Sequence, residues 1–190
     1  MYNLKIIVAS TRPGRKGPIV ADWIYEVLKA NPSFSTELLD LAVINLPFFD
    51  ETNHPRLQKY EHQHTKDWSA IIDKADAFII VTPEYNFGYP ATIKNALDFL
   101  YNEWCYKPVA FVSYGGLSAG TRCIQMLKQV VTAQKMMPVT DAVNIPFFTN
   151  HINDDDVFVP GETITKSAEV MVAELLRWTE ALKPMRNKQG

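Results

Sequence analysis

Leu4-Lys5-Ile6-Ile7-Val8-Ala9 runs directly into Ser10-Thr11-Arg12-Pro13-Gly14-Arg15-Lys16-Gly17-Pro18, and this junction decides the fold. The first six residues are apolar apart from Lys5. The run is too short for a buried helix and rich in Ile and Val, so it reads as a strand covered on both faces. A Gly/Pro/Arg loop follows. From Pro18 to Ala30 the residues Ile19, Val20, Trp23, Ile24, Val27 and Leu28 recur at helical spacing. Pro18 suits the first helical turn, where its missing N–H is not needed, and Asn31-Pro32 stops the helix.

The same alternation continues along the chain. Strands are expected at Ser35–Leu41, Ala77–Val81, Pro108–Val112 and within Met137–Ile145. Helices are expected at His54–Lys74, Ala91–Tyr101, Thr121–Gln134 and Thr163–Leu182, with a polar, frayed tail from Lys183 to Gly190. Strands alternating with helices imply an α/β three-layer sandwich. Five parallel strands fit the flavodoxin-like order 2-1-3-4-5, in which ligands sit where the strand order reverses, between strands 1 and 3. No repeat or linker interrupts the pattern, so residues 1–190 read as a single domain.

Composition removes several function classes. The chain has 190 residues and a formal net charge of −2, which offers no basic excess for nucleic acid. Its two cysteines, Cys105 and Cys123, form no C-x-x-C pair and read as reduced thiols. No apolar run approaches the ~20 residues that span a bilayer, and Met1–Ser10 lacks the pattern of a secretory leader. The expectation is a soluble, cytoplasmic protein without a membrane partner. His54, His62 and His64 lie on a polar helix with no evident carboxylate cage, and Asp154-Asp155-Asp156 lies in a loop. Both read as solvated, and no metal site is expected.

Three loops at the predicted switch point carry unusual compositions. In the first, Ser10 and Thr11 offer hydroxyls and Arg12 and Arg15 offer guanidinium groups. Gly14 and Gly17 permit close backbone approach, and the helix that begins at Pro18 presents its N-terminus to an anion. By itself this loop reads equally well as a basic surface turn. It matches neither a Walker nor a dinucleotide fingerprint, so Asp40 at the end of strand 2 reads as a strand-ending polar residue. The second loop, Thr82-Pro83-Glu84-Tyr85-Asn86-Phe87-Gly88-Tyr89-Pro90, has three aromatics to border a flat ring. Glu84, Asn86 and backbone N–H groups can meet the polar edge of a flavin, and Pro83 and Pro90 limit the cost of ordering the loop. The third, Ser113-Tyr114-Gly115-Gly116-Leu117-Ser118-Ala119-Gly120, lets backbone approach a ligand's pyrimidine end, where glycine N–H groups could meet O2 and charge at N1. Alone it reads first as a turn that starts a helix. Together the three loops suit phosphate, ring edge and pyrimidine of one cofactor.

These residues resemble the NADPH-dependent FMN reductase family of flavodoxin-like proteins, which includes azoreductase-, chromate- and quinone-reductase types. Ser10-Thr11-Arg12-Pro13-Gly14-Arg15 with Gly17 and Pro18 is similar to its phosphate loop. Pro83-Glu84-Tyr85-Asn86 is similar to its isoalloxazine motif, and Lys94-Asn95-Ala96-Leu97-Asp98 to the run that follows. Ser113 with Gly115 and Gly116 matches its strand-4 pattern. Ala9, Gly88 and Phe99 depart from residues usual in the family.

The resemblance implies bound FMN, NADPH or NADH as hydride donor, and ping-pong transfer to a flavin, quinone or azo acceptor. The flavin would carry the chemistry, with no protein acid, base or nucleophile. It also implies a homodimer or homotetramer, for which an exposed Trp104 or Tyr106 would serve. The alternative is a flavodoxin-type electron carrier without its own NAD(P)H turnover. Carriers usually combine strong acidity with a phosphate loop lacking arginine, unlike this chain.

Overall fold

The computed structural model describes residues 1–186. Its six-stranded sheet has the order β2-β1-β3-β4-β5, with β6 also paired to β4, and every pairing is parallel. β1 (Tyr2–Val8), β2 (Phe34–Asp40), β3 (Ala77–Pro83) and β4 (Pro108–Tyr114) form its body. Alternate residues of each central strand serve opposite faces. Leu4, Ile6 and Val8 of β1 pack with Ala77, Ile79 and Val81 of β3 under α1 (Gly17–Lys29) and α6 (Glu162–Arg186). Ile7, Phe78, Ile80 and Phe111 pack on the other face under α3 (Gln63–Asp73), α4 (Ala91–Asp98) and α5 (Thr121–Ala133). Burying each such aliphatic side chain contributes ~1.5–3 kcal/mol. Both sides of the sheet are therefore hydrophobic core, and this covering confines ligand access to the sheet's ends.

Several elements differ from the sequence expectation. The helix expected from His54 begins only at Gln63. A single 3-10 turn at Pro55–Leu57 is ended by Gln58 in the left-handed region (φ 52°). The Glu51 carboxylate then accepts from the N–H groups of Glu61 (2.7 Å) and His62 (3.1 Å), which sets the start of α3. A short helix, α2 (Leu41–Ile44), follows β2 because Asp40 accepts from the Ala42 N–H. The fifth strand is split into β5 (Met137–Pro138) and β6 (Val143–Ile145), since Pro138 has no N–H for the ladder and the chain bends after it. Trp104 is fully buried, not exposed. It packs on Phe78 at 4.9 Å and donates its indole N–H to the Leu97 carbonyl (3.1 Å).

The expected tail from Lys183 is helical through Arg186, because Asp76 anchors it; the remainder of that tail, 187–190, lies outside the described residues. Asp76 accepts from the Asn3 N–H (2.9 Å) and from Arg186 (2.8 Å), with Lys183 at 3.3 Å. Burial pushes its carboxyl pKa up, but these three partners outweigh that and hold it below the ordinary value. The lowered folded-state pKa places the stabilisation above the ordinary carboxylate range, and it is lost as pH falls through the folded value. Asp76→Asn is expected to lower stability by about 1–3 kcal/mol at neutral pH. That deficit should shrink below pH ~4, as read from urea unfolding of both proteins across pH. A deficit independent of pH would contradict the ion-pair account.

Among the described residues, no helix is long and apolar enough to cross a membrane, and no cluster of His, Cys, Asp or Glu could hold a metal ion. His64 instead pairs with Asp50 at 2.9 Å and stacks on His62. Both cysteines are free and buried.

Candidate active site at the carboxyl edge of the sheet

Parallel pairing brings the carboxyl ends of β1, β3 and β4 side by side, so the three loops meet. Two adjoining clefts lie among them. One, of about 220 Å³, is lined by Arg12, Arg15, Lys16, Pro83, Tyr85, Tyr114 and Phe148. The other, of about 400 Å³, is lined by Asn86, Phe87, Leu117, Ser118 and Arg122. They share Glu84, Gly115 and Gly116, so they form one groove from the phosphate loop to the third loop. Size alone does not single out this groove. A cleft of about 400 Å³ also opens at the amino end of the sheet, around Asp76 and Lys107. There Lys183 and Arg186 pair with Asp76, and Lys107, its pKa pulled down by burial to about 8, donates to the carbonyls of Ile72 and Asp73, both at 2.9 Å.

In the first loop the structure separates residues that the sequence grouped. Arg12 is exposed, and its side chain makes no hydrogen bond or ion pair among the described residues. Arg15 is committed to protein: Nη1 donates to Asp40 (2.7 Å) and to the Ser10 carbonyl (2.8 Å), and Nη2 donates to Asp40 (2.5 Å). That fork shapes the loop, and the hydrogen bond to Asp40 favours the charged guanidinium. Thr11 faces a neighbouring cleft with Asn45, Thr92 and Asn95. Ser10 is fully buried beneath Gly17. Pro18 occupies the first turn of α1, whose N-terminus receives no side-chain cap. Lys16, passed over in the sequence, lines the groove and pairs with Asp156 at 2.6 Å.

The second loop is a tight hairpin. Tyr85 and Gly88 exchange two backbone hydrogen bonds of 2.9 Å, and the two residues between them are left-handed, Asn86 at φ 49° and Phe87 at φ 70°. Asn accepts that conformation readily, whereas a bulky Phe is strained there. Arg122 holds the strained residue, its guanidinium 3.8 Å from the Phe87 ring centre. Nε of Arg122 also donates to Glu84 (2.6 Å), and the Ser118 hydroxyl donates to the same oxygen (3.1 Å). Burial raises the Glu84 carboxyl pKa, but Arg122 and Ser118 bring it below the ordinary value. The Glu84 side chain is therefore tied to α5, and the groove is left mainly to the loop's backbone, Tyr85 and Asn86.

In the third loop Gly115 donates its N–H to the Ile145 carbonyl (3.2 Å), and both glycine carbonyls accept from the Phe147–Phe148 backbone. Gly116 is exposed, and a Cβ built on it meets nothing within 4 Å, so its face is open to the groove. Ser113 does not line the groove. It is buried, with its hydroxyl 2.7 Å from the Ala119 carbonyl and 2.8 Å from Asn144 Oδ1. Phe148, also passed over in the sequence, packs on Tyr114 at 4.9 Å and lines the groove. Tyr114, its pKa pushed up to about 12 by burial, is a neutral phenol at ordinary pH.

The donor set fits a phosphorylated flat ring. Arg12, unpaired among the described residues, and an uncapped helix N-terminus stand at one end, Tyr85, Tyr114 and Phe148 line the wall beside them, and the open glycine face and Phe87 stand at the other. A doubly wound sheet carrying such a groove defines a flavodoxin-like mononucleotide-binding protein. A sequence model of the NADPH-dependent FMN reductase family matches residues 2–150, and the chain belongs to that family. It is 42% identical over 148 residues to an NAD(P)H-dependent FMN reductase of Schizosaccharomyces pombe, covering 76% of this chain and 74% of that protein. It is 29% identical over 191 residues to an NADPH azoreductase of a Bacillus species, covering 98% and 99%. Among solved structures it resembles the flavoenzyme NAD(P)H:(acceptor) oxidoreductase of Paracoccus denitrificans, with a TM-score of 0.76 at 20% identity over 96% and 99% of the two chains; at that identity the likeness speaks to fold.

Proposed function

We propose that this chain is a soluble, cytoplasmic, single-domain FMN-dependent NAD(P)H oxidoreductase that passes electrons by ping-pong exchange to a flavin, quinone, azo compound or similar acceptor. The observation that carries this reading is the continuity of the groove from the unpaired Arg12 and the N-terminus of α1 to the open face of Gly116. Arg12, Lys16 and the first turn of α1 would hold the phosphate. Arg15, fixed on Asp40, and the buried Ser10 and Gly17 would keep that loop in shape. Pro83, Glu84, Tyr85 and Asn86 would run along the ring, and Gly115 and Gly116 would face its pyrimidine end. Bound FMN supplies hydride acceptance from NADPH or NADH and its return to the second substrate. The protein's share is binding, orientation and electrostatics. A homodimer or homotetramer is proposed as well; Phe48 (88% exposed) and Phe87 (63% exposed) offer apolar surface for it.

The direct test is the visible spectrum of the purified protein, with and without added FMN, followed by NADPH or NADH without oxygen. Flavin absorbance that bleaches on reductant and returns with a quinone is expected. A protein that binds no FMN would end this reading. For the phosphate role, Arg12→Ala is expected to weaken FMN binding about ten- to hundredfold, the loss of ~1.5–3 kcal/mol from a charged hydrogen bond. Riboflavin, which has no phosphate, should bind both proteins equally, and the surface change Lys59→Ala should alter neither affinity. Equal FMN affinity in the Arg12→Ala and Lys59→Ala variants would remove Arg12 from the phosphate site.

A further inference from the structure

Arg122 lies outside every motif that the sequence offered, yet it stands in the groove beside Gly116. Its partner is unusual for a surface ion pair. The Glu84 side chain is only 5% exposed, whereas that of Arg122 is 46% exposed. Taking a carboxylate out of water is costly, and an exposed pair gives back little. The arrangement does one thing that a solvated pair would not: it fixes a dipole with its positive end toward the groove. A guanidinium has five N–H donors, and the contacts to Glu84 leave Nη1 without an acceptor among the described residues. Phe87 stacks on the same guanidinium and limits its motion. The uncapped N-terminus of α5 adds positive potential at this place.

A second observation shows what this charge is for. Glycine N–H groups at the third loop would be the donors for a pyrimidine carrying negative charge, but Gly115 spends its N–H on the Ile145 carbonyl. The backbone alone therefore supplies fewer donors than the loop composition promises. We infer that Arg122, positioned by Glu84 and Phe87, supplies the missing positive charge at the pyrimidine end of the flavin and stabilises its reduced form over its oxidised form. The assignment rests on the FMN reading above. Arg122 acts here by holding negative charge in a partly dehydrated groove, where fixed donors count for more than in water. Glu84 is a positioning residue, acting through Arg122.

The test is the midpoint potential of bound FMN, together with the dissociation constant of oxidised FMN, in the wild type and in R122L, R122K, E84Q and E84Q/R122L. Removing the guanidinium should weaken binding of reduced FMN at least tenfold more than binding of oxidised FMN. That is a fall of about 30 mV or more for a two-electron couple. R122K should recover part of it. The double variant carries no buried unpaired carboxylate, so it keeps the test open if R122L folds poorly. R122L should still lower the potential in the E84Q background, but by less than in the wild type, because Glu84 no longer positions the guanidinium. Unchanged potentials would overturn the inference, as would a fall seen only while Glu84 is intact, because Glu84 alone would then explain it. Failure of the wild type to bind FMN is a separate result, which would end the underlying reading instead.

Discussion

Gly116→Leu is expected to reduce FMN affinity at least a hundredfold, about 2.7 kcal/mol, while leaving the melting temperature of the FMN-free protein within a degree or two. The argument is geometric. Gly116 has no left-handed φ to lose, and a Cβ placed on it meets no protein atom within 4 Å. A side chain there starts from a Cβ free of contact with the fold, at a residue that lines the groove. Its neighbour makes the contrast. A Cβ on Gly115 comes within 3.3 Å of the Gly120 nitrogen, so even Gly115→Ala presses on the loop itself. The first substitution isolates the ligand, and the second mixes ligand with fold. Fluorescence titration of FMN and calorimetry of the FMN-free variant check the pair of outcomes. Affinity within threefold of the wild type would mean that no ring lies against Gly116.

The parts of this site that could be read in the sequence are those made by consecutive residues. A strand that leads into Ser10-Thr11-Arg12 and a helix with Pro18 in its first turn encode both walls of the phosphate loop within a short stretch, and the parallel sheet follows from the alternation of such elements. The parts that could not be read depend on contacts between distant segments. Arg122 gains its meaning from Glu84, 38 residues away, and Lys16 from Asp156, 140 residues away. Phe148 reaches the groove because the backbone after β6 bonds to the glycine pair, which no local pattern announces. Asp40 does end β2, but the bidentate bond that joins it to Arg15, 25 residues away, is another distant contact that neither residue's own chemistry announces. Helix boundaries failed where a remote carboxylate sets them, as Glu51 does for α3 and Asp76 for the end of α6. Trp104 was misplaced because aromatic character alone does not separate a core indole with a carbonyl partner from an exposed one.

Gly17→Ala is expected to damage fold and site together, and to be partly repaired by a second substitution. A Cβ at Gly17 would lie 2.2 Å from Ser10 Oγ and 2.6 Å from Tyr114 Oη, distances that require something to move. Ser10 is fully buried, so its hydroxyl has little room to turn aside. Tyr114 is stiff, 3% exposed and packed on Phe148, so its phenol cannot swing clear without disturbing the wall of the groove. Overpacking of this kind costs about 1–3 kcal/mol, a fall in melting temperature of roughly 2–4 °C per kcal/mol for a chain of this size. The strain falls at the point where β1 hands over to α1, so relief by shifting the helix would carry its N-terminus away from the phosphate. FMN affinity should therefore drop more than tenfold, beyond what lost stability alone would produce. Tyr114→Phe removes the oxygen at 2.6 Å, so Gly17→Ala/Tyr114→Phe should recover part of both losses. Non-additivity between the two changes, read from urea unfolding and FMN titration of the four proteins, is the signature of direct contact. Strict additivity would show that Gly17 is needed for some reason other than the space that Ser10 and Tyr114 occupy.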